Sequence, residues 1–139
     1  MQKAILGLDI GGTTIKGGVL INGHLEDIQT IAIFIESYLH HDLEGVGIGI
    51  PGLVDVEKGI VLGLANIPAF QHVELGKFLT ERIGKPIFIN NDANCFALGV
   101  HKFGVGKKYK NLVGITLGTG VGGGIVINGH LYSGVNSAA

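Results

Sequence analysis

Residues 4–10 read Ala-Ile-Leu-Gly-Leu-Asp-Ile, apolar at nearly every position, the pattern of a strand covered on both faces. Gly11, Gly12, Thr13 and Thr14 interrupt it, and residues 15–21 predict a second strand. Asn22-Gly23 favours a type I′ turn, because both residue types accept positive φ, so residues 24–33 are expected to return as a third strand. Residues 34–43 put Ile35 and Leu39 on one face of a short helix, and residues 46–50 form a buried strand closed by Pro51-Gly52. Leu75, Phe78, Leu79 and Ile83 recur at helical spacing, with Gly84 where a left-handed cap belongs. Pro86 precedes a short strand at 87–89 that runs into Asn90-Asn91-Asp92, and Phe96, Val100 and Phe103 mark the apolar face of the following helix. Residues 112–117 and 124–127 pair around Gly118-Thr119-Gly120, and Asn128-Gly129 is a second hairpin signal.

Three antiparallel strands followed by helix–strand alternation predict an α/β lobe with a sheet of mixed direction and helices on both faces. There is no repeat of fixed period and no linker. A crossover between parallel strands needs roughly 10–12 residues, and the segment from 34 to 45 barely meets that, with no turn residue before Phe34. This predicts a discontinuity of the backbone between Thr30 and Ser37.

Composition sharpens the picture at one point. Glycine makes up 25 of 139 residues, against a background of roughly 7%, and it clusters rather than repeats. Clusters of that kind bring backbone close to something or turn it tightly. The net charge of −1 gives no reason to expect nucleic acid or a membrane surface as partner. It conceals an asymmetry, with 3 basic and 8 acidic residues in 1–70 and 7 basic and 3 acidic in 71–139. A single cysteine, Cys95, excludes an internal disulfide and suits a reducing cytoplasm. No segment has the length of a membrane span or the make-up of a signal peptide.

Asp9-Ile-Gly-Gly-Thr-Thr-Ile-Lys16 carries the first candidate chemistry. Adjacent glycines let backbone N–H groups converge on an anion, threonine hydroxyls add donors and Lys16 adds charge. Asp9 at the strand end can hold the water shell of a magnesium ion; a plain glycine-rich hairpin is the competing explanation. Leu117-Gly-Thr-Gly-Val-Gly-Gly-Gly124 reads as a second phosphate hairpin, since no acidic residue follows at the spacing of a dinucleotide fingerprint. Asp92 is either a helix N-cap or a carboxylate facing a cleft at the strand ends, and spacing alone favours the cap. His40-His41 has no third ligand at metal spacing. Cys95 is expected to be buried and inert, and the Lys102, Lys107, Lys108 and Lys110 segment to be a solvated loop.

Four segments together carry a resemblance. The two glycine stretches, Gly49-Ile-Pro-Gly-Leu-Val-Asp55 and Asn91-Asp-Ala-Asn94 are similar, in the same order, to the motifs of the ROK family of sugar kinases and sugar-sensing repressors. That family belongs to the actin-like ATPase superfamily, the hexokinase–Hsp70–actin fold. The resemblance implies ATP-dependent phosphorylation of a hexose or N-acetylhexosamine hydroxyl, with Asp92 as catalytic base, which reverses the preference for a cap. It implies sugar contacts at Asn91, Asp92, Gly52, Ala65 and Asn66. Asp9, Gly11, Gly12, Thr13, Thr14 and Lys16 then resemble the first phosphate segment, and Gly118, Thr119 and Gly120 the second. ATP and Mg²⁺ are the implied cofactors, with Asp9 reaching magnesium through water, in a cytoplasmic homodimer.

The resemblance also implies that residues 1–139 form the N-terminal lobe. The second lobe, with its Gly-Glu-x-Gly-His segment and any structural Zn²⁺, is not in this sequence, so the 139-residue chain alone is expected to turn over little. Eight residues before Asp9 leave no room for a helix-turn-helix, which favours a kinase over the alternative, a sugar-sensing regulator that binds without turnover.

Overall fold

The computed structural model describes residues 4–10, 14–15, 18–19, 25–64, 71–118 and 120–135. The elements run β1 (Ala4–Asp9), β2 (Thr14–Ile15), β3 (Gly18–Val19), α1 (Leu25–Glu36), β4 (Leu43–Ile50), β5 (Gly52–Asp55), β6 (Ile60–Leu64), α2 (Leu75–Ile83), β7 (Ile87–Asn91), α3 (Asp92–Phe103), β8 (Leu112–Leu117), β9 (Val121–Ile127) and β10 (His130–Tyr132).

Strand β4 explains the first sheet. Its odd positions from 45 to 49 are glycine, while Val46, Ile48 and Ile50 are fully buried on the opposite face. It lies between β1 and β7, parallel to both. Over the branched face, α1 contributes Ile31 and Ile35 and α2 contributes Leu75 and Leu79 to one core with Leu8 and Ile10. Each such side chain stabilises the fold by about 1.5–3 kcal/mol relative to exposure. The helices are also joined at the rim, where Arg82 Nε and Nη2 donate to the two Glu36 carboxylate oxygens at 2.7 and 3.3 Å. Hairpin β5–β6, which the apolar pattern did not separate from its loops, adds Val54 and Val61 to the same core.

The expected third strand at 24–33 is a helix. Ile28, Ile31, Ala32 and Ile35 fall at i, i+3, i+4 and i+7, a helical stripe, and Ile31, Ala32 and Ile35 are fully buried while Ile33 is 59% exposed. Read as alternation, Ile31, Ile33 and Ile35 look like one strand face; the helical period sends Ile33 outward instead. The helix predicted at 34–43 is therefore the end of α1. It stops at Glu36, where the Ser37 hydroxyl turns back to the Phe34 carbonyl at 2.7 Å, and Leu39 is exposed. The backbone between Thr30 and Ser37 is continuous, with the Ser37 amide bonded to the Ile33 carbonyl at 3.2 Å, so the expected discontinuity is absent. The predicted strand at 15–21 is likewise divided, since β2 and β3 pair antiparallel with Thr14 opposite Val19. Asn22-Gly23 lies outside the described residues.

The second sheet has the order β10–β9–β8, antiparallel throughout, with β9 starting at Val121 rather than 124. Its last turn is as expected, with Asn128 and Gly129 at φ 51° and 82°. One face is floored by Gly114, Gly122 and Gly124, and α3 lies on it so closely that a Cβ on Gly124 would sit 2.7 Å from both the Ala93 oxygen and the Ala97 Cβ. This corrects the expected face of α3. Phe96 and Phe103 point outward at 46% and 87% exposure, and the buried face is Ala93, Asn94, Ala97 and His101, small enough for a glycine floor. The opposite face of the sheet presents Val113, Ile115, Leu117, Val121, Ile127 and Tyr132 to solvent. No helix among the described residues is long and apolar enough to cross a membrane.

Candidate functional site

Helix α3 joins the two sheets. Its first turn stands at the carboxyl ends of β4 and β7, the place where open α/β sheets receive ligands, and its body lies on β8 and β9. A Cβ on Gly49 would lie 3.5 Å from both the Asp92 Cα and the Cys95 sulfur, so the glycine lets the helix come down on the sheet. A cleft of about 380 Å³ opens there, lined by Leu8, Asp9, Gly49, Asp92, Ala93, Cys95, Phe96 and Thr116. It continues into a hollow of about 620 Å³ over Gly7, Gly47, Phe88 and Leu98, along the glycine face of the first sheet.

The cap of α3 is Asn91, not Asp92. Asn91 has extended backbone (φ −62°, ψ 142°), and its Oδ1 accepts from the Ala93 and Asn94 amides at 2.9 and 3.2 Å. A cap residue must lie outside the helical conformation to reach those amides, and Asp92 is already inside it. Asp92 is left as the first helical residue, half-buried, with Oδ1 accepting from the Ala93 amide at 2.8 Å and its carboxylate at the positive end of the helix. Asn91 Nδ2 donates to the Gly52 carbonyl at 3.1 Å. Both ends of the Asn91 amide thus hold the junction together.

The glycines divide into two sets. At Gly52 a Cβ would collide with the Gly63 carbonyl and with Leu64, so glycine is demanded there by the β5–β6 hairpin. Gly114, Gly122 and Gly124 are demanded by α3. In the stretch from Leu117 to Gly124 the later glycines, Gly122 and Gly124, serve packing. A Cβ on Gly118 or Gly120 would meet nothing within 4 Å among the described residues, and the Gly118 amide donates to the Gly120 carbonyl at 2.9 Å, closing the turn. Gly11, Gly12, Thr13, Lys16, Ala65, Asn66 and Thr119 lie outside the described residues, and Thr14 is described only as part of β2.

Asp9 is exposed at the end of β1 and shares the cleft with Asp92. Cys95, expected to be buried and inert, keeps an exposed edge and lines the same cleft; desolvation of its covered side, then the Asp92 and Asp9 carboxylates, push its thiol pKa up. Thr116 was not singled out in the sequence, where it reads as an ordinary strand residue, yet it reaches the cleft because β8 passes beside α3. His40 and His41 are exposed, their rings 4.1 Å apart, and His40 Nδ1 is 2.9 Å from the Ser37 carbonyl. Among the described residues no group of three or more His, Cys, Asp or Glu is gathered to hold a metal. The basic segment is not one loop: Lys102 lies on α3, with its Nζ donating to the Gly129 carbonyl at 3.3 Å. Lys107 and Lys108 end a short 3₁₀ turn at Val105–Lys108, and Lys108 stands over the Tyr109 ring, 5.1 Å from its centroid.

Comparison with known proteins gives a consistent result. The ROK family's sequence model matches residues 22–139. A glucokinase from Thermotoga maritima is 38% identical over 147 aligned positions, covering 94% of this chain and 46% of that protein. An N-acetyl-D-glucosamine kinase from Photobacterium profundum is 40% identical, covering 96% of this chain and 49% of its own length. The chain therefore spans about half the length of these curated relatives. A ROK family glucokinase from Streptomyces griseus, solved in complex with glucose and AMPPNP, superposes with a TM-score of 0.81 at 35% identity, covering 92% of this chain and 46% of that one.

Proposed function

The chain belongs to the ROK family, and on that premise we propose that it is the N-terminal lobe of an ATP-dependent kinase acting on a hexose or N-acetylhexosamine hydroxyl. One observation carries this reading: Asp92 stands at the head of α3 without being its cap, on a cleft that it shares with Asp9. Asn91 takes the capping duty, so Asp92, which accepts only from the Ala93 amide among the bonds described, is not required as the cap and lines the cleft.

In the proposed reaction the Asp92 carboxylate accepts the proton of the sugar hydroxyl as that oxygen attacks the γ-phosphorus of ATP, and ADP leaves. Gly52, Asn91 and the Ala65-Asn66 stretch bound the sugar. Asn91 contributes mainly by fixing the junction, because both ends of its amide are engaged. The segment from Gly11 to Lys16 and the turn Gly118-Thr119-Gly120 receive the phosphates. Exposed carboxylate oxygen suits a hard cation, so Asp9 would hold the water shell of a magnesium ion; when bound with the nucleotide, that ion supplies charge neutralisation at the phosphates.

Kinetics on the whole protein test this. Asp92→Asn is expected to lower kcat by about 10²–10⁴-fold while sugar affinity is kept, because the isostere retains shape but not basicity. Near-parental turnover by a correctly folded Asp92→Asn protein would refute the assignment. Sugar binding by the parent without sugar-dependent ADP release would favour the sensing alternative.

A further inference from the structure

Asn94 is an odd residue to find where it lies. It is 1% exposed in the first turn of α3, and its Oδ1 is buried with no hydrogen-bond partner among the described residues. An orphaned buried acceptor costs about 1–3 kcal/mol, so an apolar side chain of similar shape would serve stability better. Only the other end of the amide is used, with Nδ2 donating to Asn90 Oδ1 at 3.3 Å. That same oxygen accepts from the Asn91 amide at 2.8 Å. The bond from Asn94 to Asn90 therefore spans the strand–helix turn, from the last strand positions to the first helical turn, with Asp92 in the enclosed segment.

We infer that Asn94 is a positioning residue for Asp92. It ties α3 to β7 across the turn, and so fixes the angle at which the first helical residue presents its carboxylate. The Asn91 cap holds the helix start from within the turn, and the Asn94–Asn90 bond closes around it. A general base must stand within hydrogen-bond reach of its proton, and a displacement of about 1 Å can cost about 100-fold in rate. The inference rests on the reading of Asp92 as general base.

The test compares Asn94→Leu, Asn90→Leu, the double variant and Asp92→Asn in the whole protein, reading kcat, KM for the sugar and the urea midpoint. Asn94→Leu is expected to lose about 10- to 100-fold in kcat, with KM for the sugar little changed and the midpoint kept or raised. Asn90→Leu should lose at least as much, since it also removes the acceptor of the Asn91 amide. The double variant should be no slower than Asn90→Leu, since that variant already cuts the Asn94 link. Parental kcat in Asn94→Leu beside an inactive Asp92→Asn would overturn the positioning role alone. Losses that multiply in the double variant would overturn it too. Parental turnover in Asp92→Asn would overturn the base assignment, and this inference with it. Should Asn94→Leu fail to fold, Asn90→Leu breaks the same bond from the half-buried end and is judged by the same outcomes.

Discussion

Asp92 and Cys95 stand one helical turn apart on the wall of one cleft, so each reports on the other. Burial raises the thiol pKa first, and the Asp92 and Asp9 carboxylates raise it further by disfavouring the thiolate. Alkylation proceeds through the thiolate. Asp92→Asn removes one repelling charge and should lower the thiol pKa, so iodoacetamide should label Cys95 faster than in the parent at the same pH, about pH 8. Asp9→Asn should act in the same direction, more weakly. Identical rates in all three proteins would mean that neither carboxylate faces the sulfur. The position of Asp92 was legible in the sequence as a strand–helix junction, but its freedom was not. Asn91 and Asp92 are both good caps by type, and only backbone geometry decides which one leaves the helix.

Between elements, the glycines make opposite predictions. Gly124→Ala puts a methyl against the Ala93 oxygen and the Ala97 Cβ, both at 2.7 Å, and should lower stability by about 1–3 kcal/mol in urea unfolding. A Cβ at Gly120 meets nothing among the described residues, so Gly120→Ala should cost less stability than Gly124→Ala, while ATP affinity falls if the turn receives phosphate. Equal destabilisation by the two would abolish the distinction. The α1–α2 contact is pH-dependent by a similar local logic. Hydrogen bonding from Arg82 holds the Glu36 carboxyl below its ordinary value of 4.5. A depressed carboxyl stabilises the fold above its unfolded pKa, and that contribution is lost as pH falls through the folded value. Glu36→Gln should therefore flatten the acid-side loss of urea midpoint between about pH 5 and pH 3; a parental slope would exclude the pair. Sequence pattern served these elements unevenly. Helix α2 was plain from four apolar residues and Gly84, because an isolated amphipathic helix has one period and one stop signal. Helix α1 was hidden by its β-branched isoleucines, whose spacing satisfies both periods over short stretches. Helix α3 was found but turned the wrong way, since Phe96 and Phe103 are the larger apolar residues and only the glycine floor reveals that alanine faces inward.

For the molecule as a whole, the α/β class was implied by the order of strands and helices. One sheet of mixed direction was expected, whereas the described strands form separate parallel and antiparallel sheets joined by α3. The glycine clusters marked where backbone approaches backbone. What order could not convey was which glycines pack against α3 and which do not. The outer face of β8, β9 and β10 has a separate, colloidal consequence. Val113, Ile115, Leu117 and Val121 are 61–81% exposed, no Asp, Glu, Lys or Arg occurs in β8, β9 or β10, and β8 is an edge strand of its sheet. A patch of this kind offers little charge repulsion near neutral pH. The purified 139-residue chain should therefore show a negative second virial coefficient in static light scattering, more negative as ammonium sulfate is added, because excluded salts favour apolar burial. Ile115→Lys with Val121→Glu should move the coefficient upward without changing the urea midpoint, whereas a coefficient insensitive to both would place the attraction on another surface.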